Sequence, residues 1–326
     1  MQLVINTYGA YIQRNGDCFK IKTDDKAREI SCKQVSSILI STAAYITTDA
    51  IKMAMDNNID IVFIDEYGNP YGRVWHSKLG STTLIRRRQL EIAQTQQGIN
   101  LSVEWIKRKL LNQIELLENL RKTRPHKTNE ITETIEKLQK IVNSLDNLQA
   151  SNINDCRSQI MGIEGSSGKI YFETLSELMP DRFKFTGRSR NPAKDEFNAL
   201  LNYSYGVLYS LVEKACIIAG LDPYVGIIHT DHYNKKSMVF DLIENYRIWA
   251  DETVITLFAG RKIKTEQFDK IPNGYILNSE GKAVLLTAFN EFLDTAIRYR
   301  GRNIKRRDII QFDCHNIANN LIKDET

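Results

Sequence analysis

A change of texture near Gly80 constrains this fold more than any other feature of the sequence. Before it, short apolar runs are cut by turn residues; after it, apolar residues recur at three- and four-residue spacing over long stretches. The first pattern suits strands and the second suits helices, so two kinds of unit are expected in one chain. In the first part, Leu3 to Asn6, Ala10 to Gln13, Cys18 to Ile21, Ser37 to Ile40, Asp60 to Ile64 and Tyr71 to Trp75 read as strands. Arg14-Asn15-Gly16-Asp17 carries the Asn-Gly hairpin signal, and Asp65 to Pro70 reads as a turn. Thr48 to Asp56 is the one expected helix there, capped by Thr47 or Thr48. Beyond Gly80, helices are expected from about Thr83 to Arg121 and from about Asn129 to Leu148, broken by Thr123-Arg124-Pro125-His126. Ile131, Ile135, Leu138, Ile141, Val142 and Leu145 form the apolar stripe of the second. Phe197 to Ala219 is apolar nearly all round and reads as a buried central helix ending at Gly220. The expected fold class is α+β: a small β-rich N-terminal domain over residues 1–82, followed by a larger, mainly α-helical C-terminal domain over residues 83–326.

Length and composition permit this. The chain has 326 residues, 42% hydrophobic, enough for two cores. Its net charge of +4 is too mild to demand a polyanionic partner, so the placement of basic residues must decide. Cys18, Cys32, Cys156, Cys216 and Cys314 are scattered, without a Cys-x-x-Cys pair, which argues against a disulfide frame or a zinc ribbon and for a reducing cytoplasm. No basic leader and no apolar run of about 18 residues is present, so neither a signal peptide nor a membrane span is expected.

The chemistry concentrates in Gly226-Ile227-Ile228-His229 and Ser237-Met238-Val239-Phe240-Asp241-Leu242-Ile243-Glu244, one imidazole upstream of two carboxylates. If Asp241 to Arg247 is helical, Asp241 and Glu244 share a face. Two such charges about 4 Å apart repel by on the order of 4 kcal/mol at an effective dielectric near 20, so they must protonate, splay into water or hold a cation. A third acid, Glu164, lies in Gly162-Ile163-Glu164-Gly165-Ser166-Ser167-Gly168, where small neighbours let either a ligand or another helix approach. Taken singly, each group has an ordinary reading: Glu164 as a solvated helix residue, His229 as a satisfied histidine, Asp241 and Glu244 as a solvated face. Taken together, acids and an imidazole embedded in apolar or small-residue runs point to a metal site. One nitrogen and several oxygens, with no thiolate, suit Mn²⁺ or Mg²⁺, which would serve phosphoryl transfer.

Arg86 to Arg88, Lys107 to Lys109, Arg182/Lys184/Arg188/Arg190, Lys235-Lys236 and the cluster from Arg298 to Arg307 punctuate the helical part. Each run alone is a solvated charge run; several beside one metal centre would make a track for a phosphate backbone. Arg182, Arg188, Arg190, Lys235 and Lys236 are the candidate nucleic-acid contacts. Tyr171, Phe172, Phe183, Phe185 and Tyr233 are candidates for base stacking, with core packing as the plainer assignment. His232 reads as loop decoration, and His76, His126 and His315 as structural.

These motifs resemble those of CRISPR-associated protein one, a family of metal-dependent endonucleases and integrases that insert new spacers into CRISPR arrays. The resemblance covers nearly the whole chain and rests on order and separation: Gly162 to Gly165 as Gly-x-Glu-Gly, Arg188 to Pro192 leading to Asn198-Ala199-Leu200-Leu201, Gly226 to His229 as Gly-x-x-His, and Asp241 to Glu244 as Asp-Leu-x-Glu. It implies Glu164, His229 and Glu244 as metal ligands, Asp241 in a supporting catalytic role, and His229 as a candidate proton carrier. It also implies a homodimer clamped on a dimer of CRISPR-associated protein two. In the implied reaction, the 3′-hydroxyl of a captured double-stranded DNA fragment attacks a repeat-end phosphodiester. Asn245-Tyr246-Arg247 stands where many relatives have Pro-Phe-Arg, Asn191-Pro192 replaces a frequent Pro-Pro, and Ser166 and Ser167 replace small apolar residues. The residues leave open a structure-specific DNA-repair nuclease, and a non-catalytic DNA-binding scaffold whose acids pair with Arg247 or nearby lysines.

Overall fold

The computed structural model describes residues 1–24, 26–75, 83–148, 150–229 and 235–323. Its first 75 residues form two four-stranded sheets. One orders Gln2–Ile5, Ser37–Ile40, Asp60–Ile64 and Pro70–Val74, the first three parallel and the last antiparallel. The other orders Ala27–Ser31, Cys18–Lys22, Tyr11–Asn15 and Tyr45–Ile46. The expected hairpin is present, shifted by one residue: Asn15 pairs with Cys18, and Gly16, at φ +58°, opens the two-residue turn. The helix Thr48–Asp56 crosses between the parallel strands, as two parallel neighbours require. Two strands lie outside the sequence expectation. Ala27–Ser31 and Tyr45–Ile46 escape notice because they are short, polar and largely exposed, without the alternation that marks a half-buried strand.

The parallel sheet is what joins the two parts. Ile38, Ile40 and Ile61 face the N-terminal core with Ile12, Phe19 and Met53. Leu39, Val62 and Ile64, on the opposite face by strand alternation, belong to the core of the helical part. A sheet buried on both faces reads as continuous apolar runs, and Ser37–Ile40 and Asp60–Ile64 do. Polar links reinforce the joint. Arg73 pairs with Asp60 and with Glu213 (3.2 Å), and donates to the Ser210 carbonyl (2.8 Å). Lys214 reaches Asp60 (2.7 Å), and Lys236 reaches Glu213 (2.6 Å). The expected domain boundary adjoins residues 76–82, which lie outside the described residues.

The rest is mainly helical. The single expected helix to Arg121 is two, Thr83–Ile92 and Gln96–Lys122, because the Thr95 side chain caps the second by accepting from Gly98 N. Thr128–Ser144 packs antiparallel-fashion beside the latter after the Pro125 turn. Ile153–Glu177 begins with a capping box of Asn152 and Asp155. Glu196–Ala219 is the buried central helix and ends on left-handed Gly220, as its composition predicts. Ser237–Ile243, Arg247–Ala259, Ser279–Asp294 and Arg306–Ile322 complete the helices, with two short hairpins, Phe268–Ile271 with Gly274–Leu277 and Ala296–Tyr299 with Arg302–Lys305. No helix among the described residues is long and apolar enough to cross a membrane.

Gly206 of the central helix touches the turn at Gly68, and a Cβ there would stand 1.8 Å from the Gly68 carbonyl oxygen. The turn has no room to yield, since Gly68 is itself at φ +91° against Tyr203 and is closed by Asp65. Gly206→Ala is therefore expected to lower stability to urea by about 3 kcal/mol through overpacking, read as a fall in the denaturation midpoint; an unchanged midpoint would show that the two parts are not pressed together here.

Candidate metal and nucleic-acid site

Glu164, His229 and Glu244 come from three segments and line one cavity of about 470 Å³. Glu164 stands midway along Ile153–Glu177, His229 at the end of the segment after the central helix, and Glu244 just past Ser237–Ile243. The Glu164 and Glu244 side chains are 20% and 3% exposed, and His229 is 14% exposed. The packing explanation for the glycines beside Glu164 is overturned: a Cβ at Gly162, Gly165 or Gly168 would meet nothing within 4 Å, and Gly165 and Gly168 line the cavity. Small residues here leave the Glu164 carboxylate uncovered instead of admitting a helix.

The continuous helix that would run from Asp241 to Arg247 is not formed. The helix ends at Ile243, and the two acids serve different partners. Asp241 is fully buried and does not line the cavity. Its Oδ2 accepts from the backbone N–H of Ile227 (2.6 Å) and Ile228 (3.1 Å), and its Oδ1 from that of His229 (3.0 Å) and from the imidazole Nδ1 (2.7 Å). A carboxylate facing Nδ1 fixes the proton there, which leaves the Nε2 lone pair as the free ligand atom. The carbonyls of the same stretch are held too, since Arg157 donates to Ile228 O (2.9 Å) and Ile227 O (3.2 Å). Upstream, the buried amide of Gln89 bonds Asp222 and Val225, and Gly226 lies so close to Ser237 that a Cβ would meet it at 2.6 Å. The loop carrying His229 is thus bonded on its N–H and C=O sides alike.

Lys109 changes the electrostatics of the cavity. Its ammonium lies 2.7 Å from Glu164 Oε1 and 2.6 Å from Glu244 Oε2. Arg247 Nε donates to Glu244 Oε1 at 2.7 Å, whereas Glu244 Oε2, buried and facing Lys109, lacks an aligned hydrogen bond. Burial disfavours the Glu244 charge, but Arg247 and Lys109 outweigh it and hold the pKa well below the usual carboxylate range. Burial likewise works against the Lys109 ammonium, but Glu244 and Glu164 hold its pKa above the ordinary lysine value. Among the described residues, no three His, Cys, Asp or Glu groups stand close enough to hold an ion as they are placed. The donor chemistry of Glu164, His229 and Glu244 nonetheless fits a hard divalent cation, with the Lys109 ammonium now occupying both carboxylates.

Of the candidate nucleic-acid contacts, Arg188, Arg190 and Lys235 line this cavity. A second cavity of about 430 Å³ shares Arg190, Lys235, Tyr205, Phe240 and Arg247 with the first and adds Lys236. Arg188 is braced by Asn198 and Asn202, and Lys236 is committed to Glu213. Arg182 lines neither cavity and pairs with Glu196. Of the candidate stacking residues, Phe172 lines the first cavity, while Tyr171 is buried with its hydroxyl on Asp251, Phe185 stacks on Phe197, and Phe183 packs on Phe258. Tyr233 and His232 lie outside the described residues.

Sequence reasoning missed Lys109, Gln113, Tyr205 and Asp251, which also line the site. A signal existed for Lys109. It lies four residues after Trp105, three after Ile106 and four before Gln113, all buried, so helical phase turns it inward although its neighbours Lys107 and Arg108 make the run look solvated.

Comparison with known proteins bears on the chain as a whole. The family model described as CRISPR associated protein Cas1 matches residues 3–291. A CRISPR-associated endonuclease Cas1 of Archaeoglobus fulgidus is 35% identical over 98% of this chain and 95% of its own. A solved casposase bound to integration product superposes at TM-score 0.84 with 21% identity, over 99% of this chain and 91% of that one. A chain of a Cas6-RT-Cas1 and Cas2 complex superposes at TM-score 0.80 with 20% identity, over 99% of this chain and 35% of that one. With a β-rich start, a helical remainder and a family match spanning most of its length, the chain belongs to the CRISPR associated protein Cas1 family.

Proposed function

We propose that this protein is a divalent-metal-dependent DNA endonuclease and integrase that inserts captured fragments into a CRISPR array, with Glu164, His229 and Glu244 as the ligands of Mn²⁺ or Mg²⁺. The convergence of these three side chains, from three separate segments, on one cavity carries the reading. The bound ion would polarise a phosphodiester and stabilise developing negative charge. Asp241 engages the imidazole at Nδ1, which leaves Nε2 as the nitrogen that could serve the ion. Arg188, Arg190 and Lys235 supply positive charge to hold a phosphate backbone in register, and Phe172 and Phe240 offer ring faces beside it.

The partners we propose are double-stranded DNA, both captured fragment and CRISPR repeat, a second copy of the chain, and a dimer of CRISPR-associated protein two, with the β-rich part as the contacting unit. The superposed casposase is bound to an integration product and the other superposed chain belongs to a complex with Cas2, in keeping with DNA and the second CRISPR-associated protein as partners. Five free cysteines are in keeping with a cytoplasmic setting. Labelled short duplexes incubated with a supercoiled repeat plasmid, Mn²⁺ and the partner protein test the reaction. Covalent joining is expected, and cleavage without joining would favour the repair nuclease.

One observation favours the scaffold reading: the acids do pair with Arg247 and a lysine. His229→Ala separates the two. It is expected to remove most strand transfer while DNA affinity stays within about twofold, because affinity comes from the basic track. Gel-shift titration beside the joining assay reads both, and unchanged joining would favour the scaffold.

A further inference from the structure

Lys109 stands where the proposed cation would stand. We propose that Lys109 is a built-in counter-cation that holds Glu164 and Glu244 together until a divalent ion displaces its ammonium, so that it sets the metal affinity of the site. The inference rests on the metal-site reading above. Two carboxylates this buried repel unless a positive charge lies between them, and the chain supplies one from a third element, the helix Gln96–Lys122. The ammonium spans the pair, at 2.7 Å from Glu164 Oε1 and 2.6 Å from Glu244 Oε2.

The exchange is electrostatically sensible. A divalent ion at about 2.1 Å attracts each carboxylate more than twice as strongly as a single charge at 2.7 Å, a gain partly offset by stripping its water. The released side chain has somewhere to go. Gln113, one helical turn further on and facing the same cavity, carries a buried Oε1 without a hydrogen-bond partner, an acceptor suited to an ammonium. Arg247 remains on Glu244 Oε1, so the carboxylate keeps its orientation when Lys109 leaves.

Mn²⁺ titration of the full chain, followed by calorimetry and by paramagnetic resonance of free Mn²⁺, tests the proposal without any activity readout. Lys109→Met is expected to bind Mn²⁺ about tenfold or more tightly than the parent, to melt lower without metal and to gain more from Mn²⁺. Lys109→Arg, which keeps the charge, is expected to bind no more tightly than the parent. Equal or weaker binding by Lys109→Met would overturn the proposal. If that variant does not fold, amine labelling of the parent decides: Lys109 should label faster with saturating Mn²⁺, and unchanged or slower labelling overturns the displacement. A parent that binds no Mn²⁺ sinks the metal-site reading itself, and the inference with it.

Discussion

Glu164→Ala is expected to lower Mn²⁺-dependent strand transfer by on the order of 10³-fold while the protein keeps its fold. The two effects separate because of how Glu164 is held. Its carboxylate makes one ion pair, to Lys109, from a part-exposed position on a helix, and Lys109 retains Glu244 when that pair is lost. The thermal midpoint should therefore fall little, with about 1 kcal/mol of stability at stake. Glu244→Ala would be less informative, since it takes from buried Arg247 its carboxylate partner and leaves Lys109 with one acid of its two. Joining of labelled duplexes under Mn²⁺ reads the effect. If Glu164→Ala, normally folded, joins DNA as fast as the parent, the ligand assignment is wrong.

Asp241→Ala is expected to cost about 3 kcal/mol or more of stability and most of the activity together. Its two oxygens take three backbone N–H groups and the imidazole Nδ1, and water cannot readily replace a fully buried acceptor. Asp241→Asn can keep at most part of this, because its amide NH₂ would point a donor at N–H groups that need an acceptor. The loop carrying His229 should lose protection from amide exchange at Ile227 and Ile228. Full protection in Asp241→Ala would show that Arg157 and Gln89 hold the loop unaided.

Much of this was legible in the residues. The hairpin turning at Gly16, the central helix stopping at Gly220, and the change from strands to helices follow from local chemistry that acts within a few positions. Glu164, His229, Asp241 and Glu244 could be singled out because acids and an imidazole in apolar or small-residue surroundings need a reason to be there, whereas the choice of Glu244 over Asp241 as ligand came from the family resemblance. Lys109 was hidden for the opposite cause: it ends a run of three basic residues, and those three neighbours find three unrelated partners, Asp146 for Lys107, Asp313 for Arg108 and the Glu164/Glu244 pair for Lys109. Pairings across 55 residues of chain, such as Lys109 with Glu164, have no local signature. The break after Ile243 was likewise invisible, since Glu244, Asn245 and Tyr246 tolerate a helix; tertiary bonds of Asn245 O to Asn112 and of the Tyr246 hydroxyl to Asp313 set the turn.

The ion pairs joining the sheet to the central helix have a practical side. Asp60, Glu213 and Arg73 are almost wholly enclosed, so mobile salt ions scarcely reach them, whereas contacts between a basic groove and a polyanion weaken steeply as counterions are added. High ionic strength would accordingly strip nucleic acid from this molecule long before it loosened the seam between its two halves, and a concentrated wash is a safe route to DNA-free, intact material.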